Sequence, residues 1–292
     1  MSGAELRGPL IAAGRTTGVP DELRSVAFSA IKALSAAFDH FRPAHRGVVI
    51  LLYHRVGARK EVQLDLPTDL FDRQMEDIGS RGNAVDLASG LDALENQHEP
   101  AHDPIVITFD DGTVDFVDVA LPILVRHQVP ATLYLATDHI ERQVLFPHDG
   151  RPLSWSALRD ALDTGLVTIG SHTHTHALLD RFPPSEAEAE LRRSTALIED
   201  RLGVSAEHFA YPKAVAPSPG TEKLVRRHFR SAALAGTRPN RYGITDLHRL
   251  ARSPIQAADG LRWFERKLRG GMRLEDDLRR FINRRRYAGA TS

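Results

Sequence analysis

The spacing of apolar positions changes several times along this chain, and each change predicts an element boundary. Residues Val48–Val56, VVILLYHRV, are almost continuously apolar and rich in β-branched side chains. That is the pattern of a strand buried on both faces. Comparable runs recur at Pro104–Gly112 (PIVITFDDG), Ala131–Thr137 (ATLYLAT), Leu166–Thr173 (LVTIGSHT), His208–Pro212 (HFAYP), Ser231–Leu234 and Leu247–Ile255. Between them the apolar period lengthens to three or four residues, over Asp69–Gly82, Val114–His127, Ser154–Thr164, Glu186–Leu202 and Thr221–Phe229. That period predicts helices.

Strands that alternate with helices build parallel βαβ units, and about seven such units favour a barrel over an open sheet. The expected fold class is therefore α/β, a (β/α) barrel of about seven units. A further helix is predicted from Pro20, where Leu23, Ala27, Ile31, Leu34, Phe38 and Phe41 fall on one face. The chain thus divides into an extension over residues 1–45, with an amphipathic helix, and a barrel over residues 46–292 that ends in a basic C-terminal helix.

Composition narrows the chemistry. Lysines plus arginines number 38, as do aspartates plus glutamates, so the net charge is zero and gives no general attraction to nucleic acid. Cysteine is absent, which excludes disulfides, thiolate nucleophiles and zinc–sulfur sites, so any metal must be held by His, Asp or Glu. No segment is apolar for long enough to span a bilayer. The N-terminal stretch, with Glu5 and a short apolar run, makes a poor signal peptide, and the expected location is cytoplasmic.

In barrels of this kind the working residues sit where strands end and loops begin. Tyr53-His54, Asp110-Asp111, Ser171-His172 and Tyr211-Pro212 all fall at such ends. Adjacent aspartates on a strand point apart, but a terminal pair followed by Gly112 can reach one cavity from two directions. In GSHTHTHAL, His172, His174 and His176 would share a face of a continued strand. If instead the strand ends at Ser171 and the chain enters a helical turn, His172 and His176 converge and His174 swings aside. Two imidazoles and one carboxylate form a three-ligand site with open positions, the catalytic rather than the structural pattern. Such nitrogen and oxygen ligands suit a divalent metal, Zn²⁺ first, with Co²⁺, Ni²⁺, Mn²⁺ or Fe²⁺ as alternatives.

The segments Thr108-Phe109-Asp110-Asp111-Gly112 and Ser171-His172-Thr173-His174-Thr175-His176 resemble the first two motifs of the polysaccharide deacetylase family, carbohydrate esterase family four (the NodB-homology domain). The likeness runs over about Val48–Ile255. It implies a distorted (β/α) barrel and a metal-dependent hydrolase that removes N-acetyl groups from a carbohydrate through a metal-activated water. It also implies that Asp111, His172 and His176 are metal ligands and that Asp110 is the general base. Hydrolysis of an O-acetyl ester at the same site and a non-catalytic carbohydrate-binding role are the alternatives.

Two departures from the family pattern affect the remaining roles. Where the third motif resembles Arg-x-Pro-Tyr, this chain reads Ala210-Tyr211-Pro212-Lys213. The backbone N–H of Lys213 can still meet an oxyanion, and Arg252 is the candidate to replace the missing base-orienting guanidinium. The last motif, Leu-x-His with its general acid, has no good copy, which leaves His54 as a candidate acid or supporting group and His174 as another. Trp155 and Tyr211 are candidates to contact the sugar, while Asp115 supports the site or merely opens a helix. Arg262–Arg286 holds ten Lys or Arg against four Asp or Glu, interleaved with apolar residues. A packed helix with a solvated basic face explains this stretch, and attraction to an anionic lipid or lipid-linked glycan is the sharper reading. The expected partner is an N-acetylated carbohydrate, with no nucleic acid.

Overall fold

A computed structural model describes residues 30–39, 45–60, 62–96, 99–278 and 281. Seven strands form its main sheet: β1 (Val49–Tyr53), β2 (Ile105–Phe109), β3 (Ala131–Leu135), β4 (Val167–Ser171), β5 (His208–Ala210), β6 (Ser231–Ala233) and β7 (Arg252–Pro254). Neighbouring strands are parallel and follow the order β6-β5-β4-β3-β2-β1-β7. Every residue of β1, β2 and β3 is buried, because helices cover one side and the barrel interior the other. The two ends of the sheet approach through a parallel bridge between Ala233 and Leu250. Leu250 N–H donates to Ala232 (3.0 Å), Leu234 N–H to Leu250 (2.8 Å) and Gly236 N–H to Arg252 (2.8 Å). These bonds bring the sheet close to a closed barrel.

Several boundaries differ from the periodicity. The first apolar run breaks at His54. Arg55–Val56 leaves the barrel and pairs with Asp65–Leu66, while β1 stops at Tyr53. Val114–His127 is a π-helical turn, Phe116–Ala120, followed by an α-helix, Leu121–His127. Two short helices, Leu87–Glu95 and Thr137–Arg142, were not expected. Over the described residues the basic C-terminal segment is helical at Gly260–Leu268 and 273–278, with a break at Gly270 (φ +70°), and positions 279, 280 and 282–286 lie outside the described residues.

The N-terminal helix needs the clearest correction. Residues 30–39 are helical, whereas Leu23, Ala27 and Phe41 lie outside the described residues. Leu34 is 63% exposed, and the buried positions are Lys32, Ser35 and Ala36. The helix therefore docks through a polar face. The Lys32 ammonium and that of Lys267 (2.8 Å) both donate to the buried Asp259 carboxylate, and Lys267 also donates to the Pro254 carbonyl (2.8 Å). Two cations around one carboxylate outweigh the burial that would otherwise favour its neutral form. The extension is thus fastened to the end of β7, the strand that carries Arg252. Among the described residues no helix is long and apolar enough to cross a membrane.

Candidate functional site

The site forms where β2 and β4 end. Beyond Phe109, Gly112 N–H donates back to the Asp110 carbonyl (3.1 Å) around Asp111, whose φ is +78°. This tight turn, rare for a residue with a side chain, lets two adjacent carboxylates face one imidazole, each 3.8 Å from His172 Nε2. Gly112 continues at φ +97°, and a Cβ there would lie 2.9 Å from Leu135 Cδ2, so the position requires glycine on two grounds.

Beyond Ser171, His172 N–H still donates to the Leu135 carbonyl (2.9 Å), and then the chain turns. The turn is not helical, because Thr173 (φ +66°) and His176 (φ +59°) are left-handed. Its shape is set largely by Glu190, a buried glutamate on the helix Pro184–Leu202. Glu190 accepts hydrogen bonds from the N–H groups of His174 (3.1 Å) and Thr175 (2.8 Å), and Thr173 Oγ1 accepts one from Ala177 N–H (2.9 Å).

This turn separates the three histidines. His172 Nε2 lies 3.8 Å from Asp111 Oδ1, and His176 Nε2 lies 3.4 Å from the same oxygen. One donor atom from each of Asp111, His172 and His176 falls within 4.8 Å of the others. The His172 Nδ1 edge faces the Ala210 carbonyl at 2.7 Å, so Nδ1–H donates there and the Nε2 lone pair faces Asp111. A hard carboxylate, two imidazoles and a tautomer fixed from outside fit a divalent cation. His174 instead meets the Thr137 hydroxyl through Nδ1 (2.9 Å) and faces Asp138 at 3.6 Å.

Asp110 lies beside the triad, with Oδ2 3.8 Å from His172 Nε2. Arg252 binds it through both prongs, Nη1 to Oδ1 at 2.6 Å and Nη2 to Oδ2 at 2.9 Å. The guanidinium is fully buried, and its remaining donors reach Thr108 Oγ1 (3.3 Å) and the Leu234 carbonyl (3.2 Å). Its cationic carbon stands 5.1 Å from the Tyr134 ring centroid. Burial works against ionisation of Asp110, but the Arg252 charge, aided by His172, outweighs it and holds the carboxyl well below the usual carboxylate range.

His54, at the break after β1, is close enough to feel Asp111 and Asp110. Burial lowers its pKa and the two carboxylates oppose that shift, while its Nδ1 has no hydrogen-bond partner among the described residues. Burial, with help from His172 and Lys213, lowers His176 to about 3, so its imidazole stays neutral and available as a ligand. Lys213 is exposed at φ +55°, with its charge within electrostatic reach of His54 and His176.

The remaining candidates lie elsewhere. Trp155 donates from its indole N–H to Glu141 (2.7 Å) and packs partly buried against the core. Tyr211 is 2% exposed, its ring edge-on to Phe209 at 5.0 Å, and its hydroxyl lacks a partner among the described residues. Asp115 accepts from Val56 N–H (2.9 Å) and so holds the short strand that leaves the barrel. Thr108 stood in the quoted motif without an assigned role, and Glu190 and Tyr134, which also support the site, were missed in the sequence. Nothing in their local pattern distinguishes them from ordinary helix and strand residues. His139 was also missed: its ring stacks on Phe146 (4.1 Å) and stands edge-on to His176 (6.5 Å).

Residues 97–226 match the family model described as polysaccharide deacetylase. YxkH of Bacillus subtilis, named for the same family, is 23% identical over 164 residues, which is 56% of this chain and 55% of that relative. The poly-beta-1,6-N-acetyl-D-glucosamine N-deacetylase of Staphylococcus epidermidis is 32% identical over 115 residues, 36% of this chain and 39% of its own length. The matches thus span about half or less of these curated relatives. The solved structure of the Streptococcus pyogenes deacetylase PplD in complex with acetate shares the fold, with a TM-score of 0.67 at 22% identity over 76% of this chain and 98% of that one.

Proposed function

From the premise that this chain belongs to the polysaccharide deacetylase family, we propose that it is a metal-dependent hydrolase that removes N-acetyl groups from a carbohydrate. The observation that carries this reading is the Asp110–Arg252 pair beside the Asp111–His172–His176 triad. A site that only gripped a cation would have no need of a second, arginine-oriented carboxylate.

In this reading Asp111, His172 and His176 hold the cation. Once bound, it supplies a Lewis acid that polarises the acetyl carbonyl and makes a water more acidic. Asp110 takes the proton of the attacking water. Arg252 keeps the carboxylate ionised and in one orientation, and leaves lone pairs on both oxygens for that proton. The backbone N–H of Lys213 is assigned to the developing oxyanion. His54, buried within electrostatic reach of both carboxylates, is assigned to pass a proton to the leaving amine, with burial the larger influence on its ring and holding its pKa below the ordinary histidine value. Zn²⁺ is the first cation to test. The Staphylococcus epidermidis relative is named for poly-beta-1,6-N-acetyl-D-glucosamine, which makes that polymer the first substrate to test.

Acetate release from N- and O-acetylated glycans tests the proposal, with and without chelator, for the wild type and Asp110→Asn. Chelator should abolish release. Asp110→Asn should lower kcat by about 10²-fold or more while metal content stays constant. Release only from O-acetyl esters would move the reading to ester hydrolysis, and bound metal with no turnover on any glycan would leave a binding protein. Activity that survives both chelator and Asp110→Asn would sink the mechanism.

A further inference from the structure

Tyr134 lies on β3 with its side chain fully buried. The Arg252 guanidinium carbon stands over the face of its ring, 5.1 Å from the centroid, and Arg252 in turn holds Asp110 with two hydrogen bonds. Ring, cation and carboxylate thus form a relay from the third strand to the site.

Three observations separate this contact from ordinary packing. The neighbouring strand is shaped to admit the ring: Tyr134 pairs with Gly170 on β4, and a Cβ on Gly170 would lie 2.5 Å from Tyr134 Cδ1. Any other residue at that position would displace the ring. The Tyr134 hydroxyl is buried with no partner among the described residues, although a buried tyrosine usually satisfies this group. What the position uses is therefore the ring itself. Finally, hydrogen bonds hold Arg252 only at its N–H groups, on Asp110, Thr108 and the Leu234 carbonyl. Those bonds direct a planar fork, whereas a shift of the whole cation is resisted by what packs against it.

Packing alone would not require an aromatic side chain here. Tyr134 belongs to a buried apolar cluster with Ile50, Val106 and Leu250, in which a leucine would supply similar bulk. An aromatic face differs from leucine in that it attracts a desolvated guanidinium.

We propose that Tyr134 is a positioning residue for the reaction: its ring holds Arg252 against Asp110 and so fixes the direction in which that carboxylate meets the attacking water. This role rests on the reading of Asp110 as the group that takes the water's proton. Acetate release and urea unfolding are measured for the wild type, Tyr134→Leu, Tyr134→Phe, Arg252→Gln and the double variant Tyr134→Leu with Arg252→Gln. Tyr134→Leu should lower kcat by about tenfold with KM and metal content unchanged, because a misplaced base costs rate and not substrate binding. Tyr134→Phe, which restores the ring without the hydroxyl, should recover kcat to within about twofold of the wild type. Once Arg252 is gone the ring has no cation to hold, so Tyr134→Leu should then cost less than about a further twofold.

Urea unfolding shows which variants are folded, and should Arg252→Gln fail to fold, the comparison of leucine with phenylalanine decides alone. Equal kcat for Tyr134→Leu and Tyr134→Phe in an active enzyme would overturn the positioning role. The same tenfold loss from Tyr134→Leu with and without Arg252 would overturn it too, because a packing effect is additive. A wild type that releases no acetate from any N-acetylated glycan would instead overturn the deacetylase reading. The unfolding free energies then judge the ring and guanidinium separately: non-additive losses support their pairing, and additive losses reject it.

Discussion

Arg252 and Asp110, 142 residues apart in the chain, meet in a two-pronged ion pair with both side chains buried. Removing the cation alone leaves a carboxylate with burial against it and nothing comparable in its favour. Arg252→Gln should therefore cost about 3–5 kcal/mol in urea unfolding. Adding Asp110→Asn should recover part of that loss, and an additive double-mutant cycle would show that the two groups do not act as a pair. Asp110 has a depressed folded pKa, so its stabilisation is present above the unfolded value and fades as pH falls through the folded value. The Arg252 contribution should be complete at neutral pH and persist to below the ordinary carboxylate range.

The histidines of the 172–176 turn should separate cleanly in metal content. His172→Ala and His176→Ala each remove a proposed ligand atom and should weaken metal binding by at least about a hundredfold, read by elemental analysis after dialysis against a competing chelator. His174→Ala should retain its metal and lose its contacts with Thr137 and Asp138. Metal loss in His174→Ala equal to that in its neighbours would place the ligands differently.

His208, at the start of β5, supplies an acid-sensitive element outside the Asp111–His172–His176 triad. It is 3% exposed, with Nδ1 against Ser231 Oγ at 3.0 Å. Burial, reinforced by Arg230, lowers its pKa to about 4. The folded state favours the neutral ring, so this stabilisation is complete above the unfolded value near 6.5 and is lost as pH falls towards about 4. Its size is roughly 3 kcal/mol at about 1.4 kcal/mol per unit. His208→Gln should flatten the decline of unfolding free energy between those two pH values, and a slope unchanged from the wild type would assign the loss to other groups.

Tyr211 distinguishes a packing role from a sugar contact. Its hydroxyl is buried without a partner among the described residues, and burial raises its pKa well above the usual tyrosine value. Tyr211→Phe removes an unmet hydrogen-bonding group and should leave stability unchanged or raise it by up to about 1 kcal/mol. KM for an acetylated glycan should not move. A several-fold rise in KM at constant stability would restore the sugar contact expected from the sequence.

The legible parts of the molecule are those in which a physical constraint acts over neighbouring residues. Strands buried on both faces must be apolar throughout, so β1, β2 and β3 stand out in the sequence. The break at His54 and the π-helical turn at Phe116–Ala120 do not, because each depends on what the chain meets in space. The N-terminal helix shows the limit most clearly. Apolar periodicity selected a face with Leu34, yet Lys32 is buried because Asp259, from the far end of the chain, supplies its counter-charge.

For the site itself, the sequence alone determined the donor types and their order: two adjacent carboxylates before a glycine, then three alternating histidines, with no cysteine to compete. Those are local chemical facts, and they suffice to restrict a metal site to nitrogen and oxygen ligands. Tertiary structure decided which donors converge. Glu190 holds the non-helical turn that turns His174 aside, Ala210 fixes the tautomer of His172, and Arg252 reaches Asp110 from the last barrel strand. Each of these contacts joins residues distant in sequence, because the ends of different strands come together only when the sheet curves towards a closed barrel.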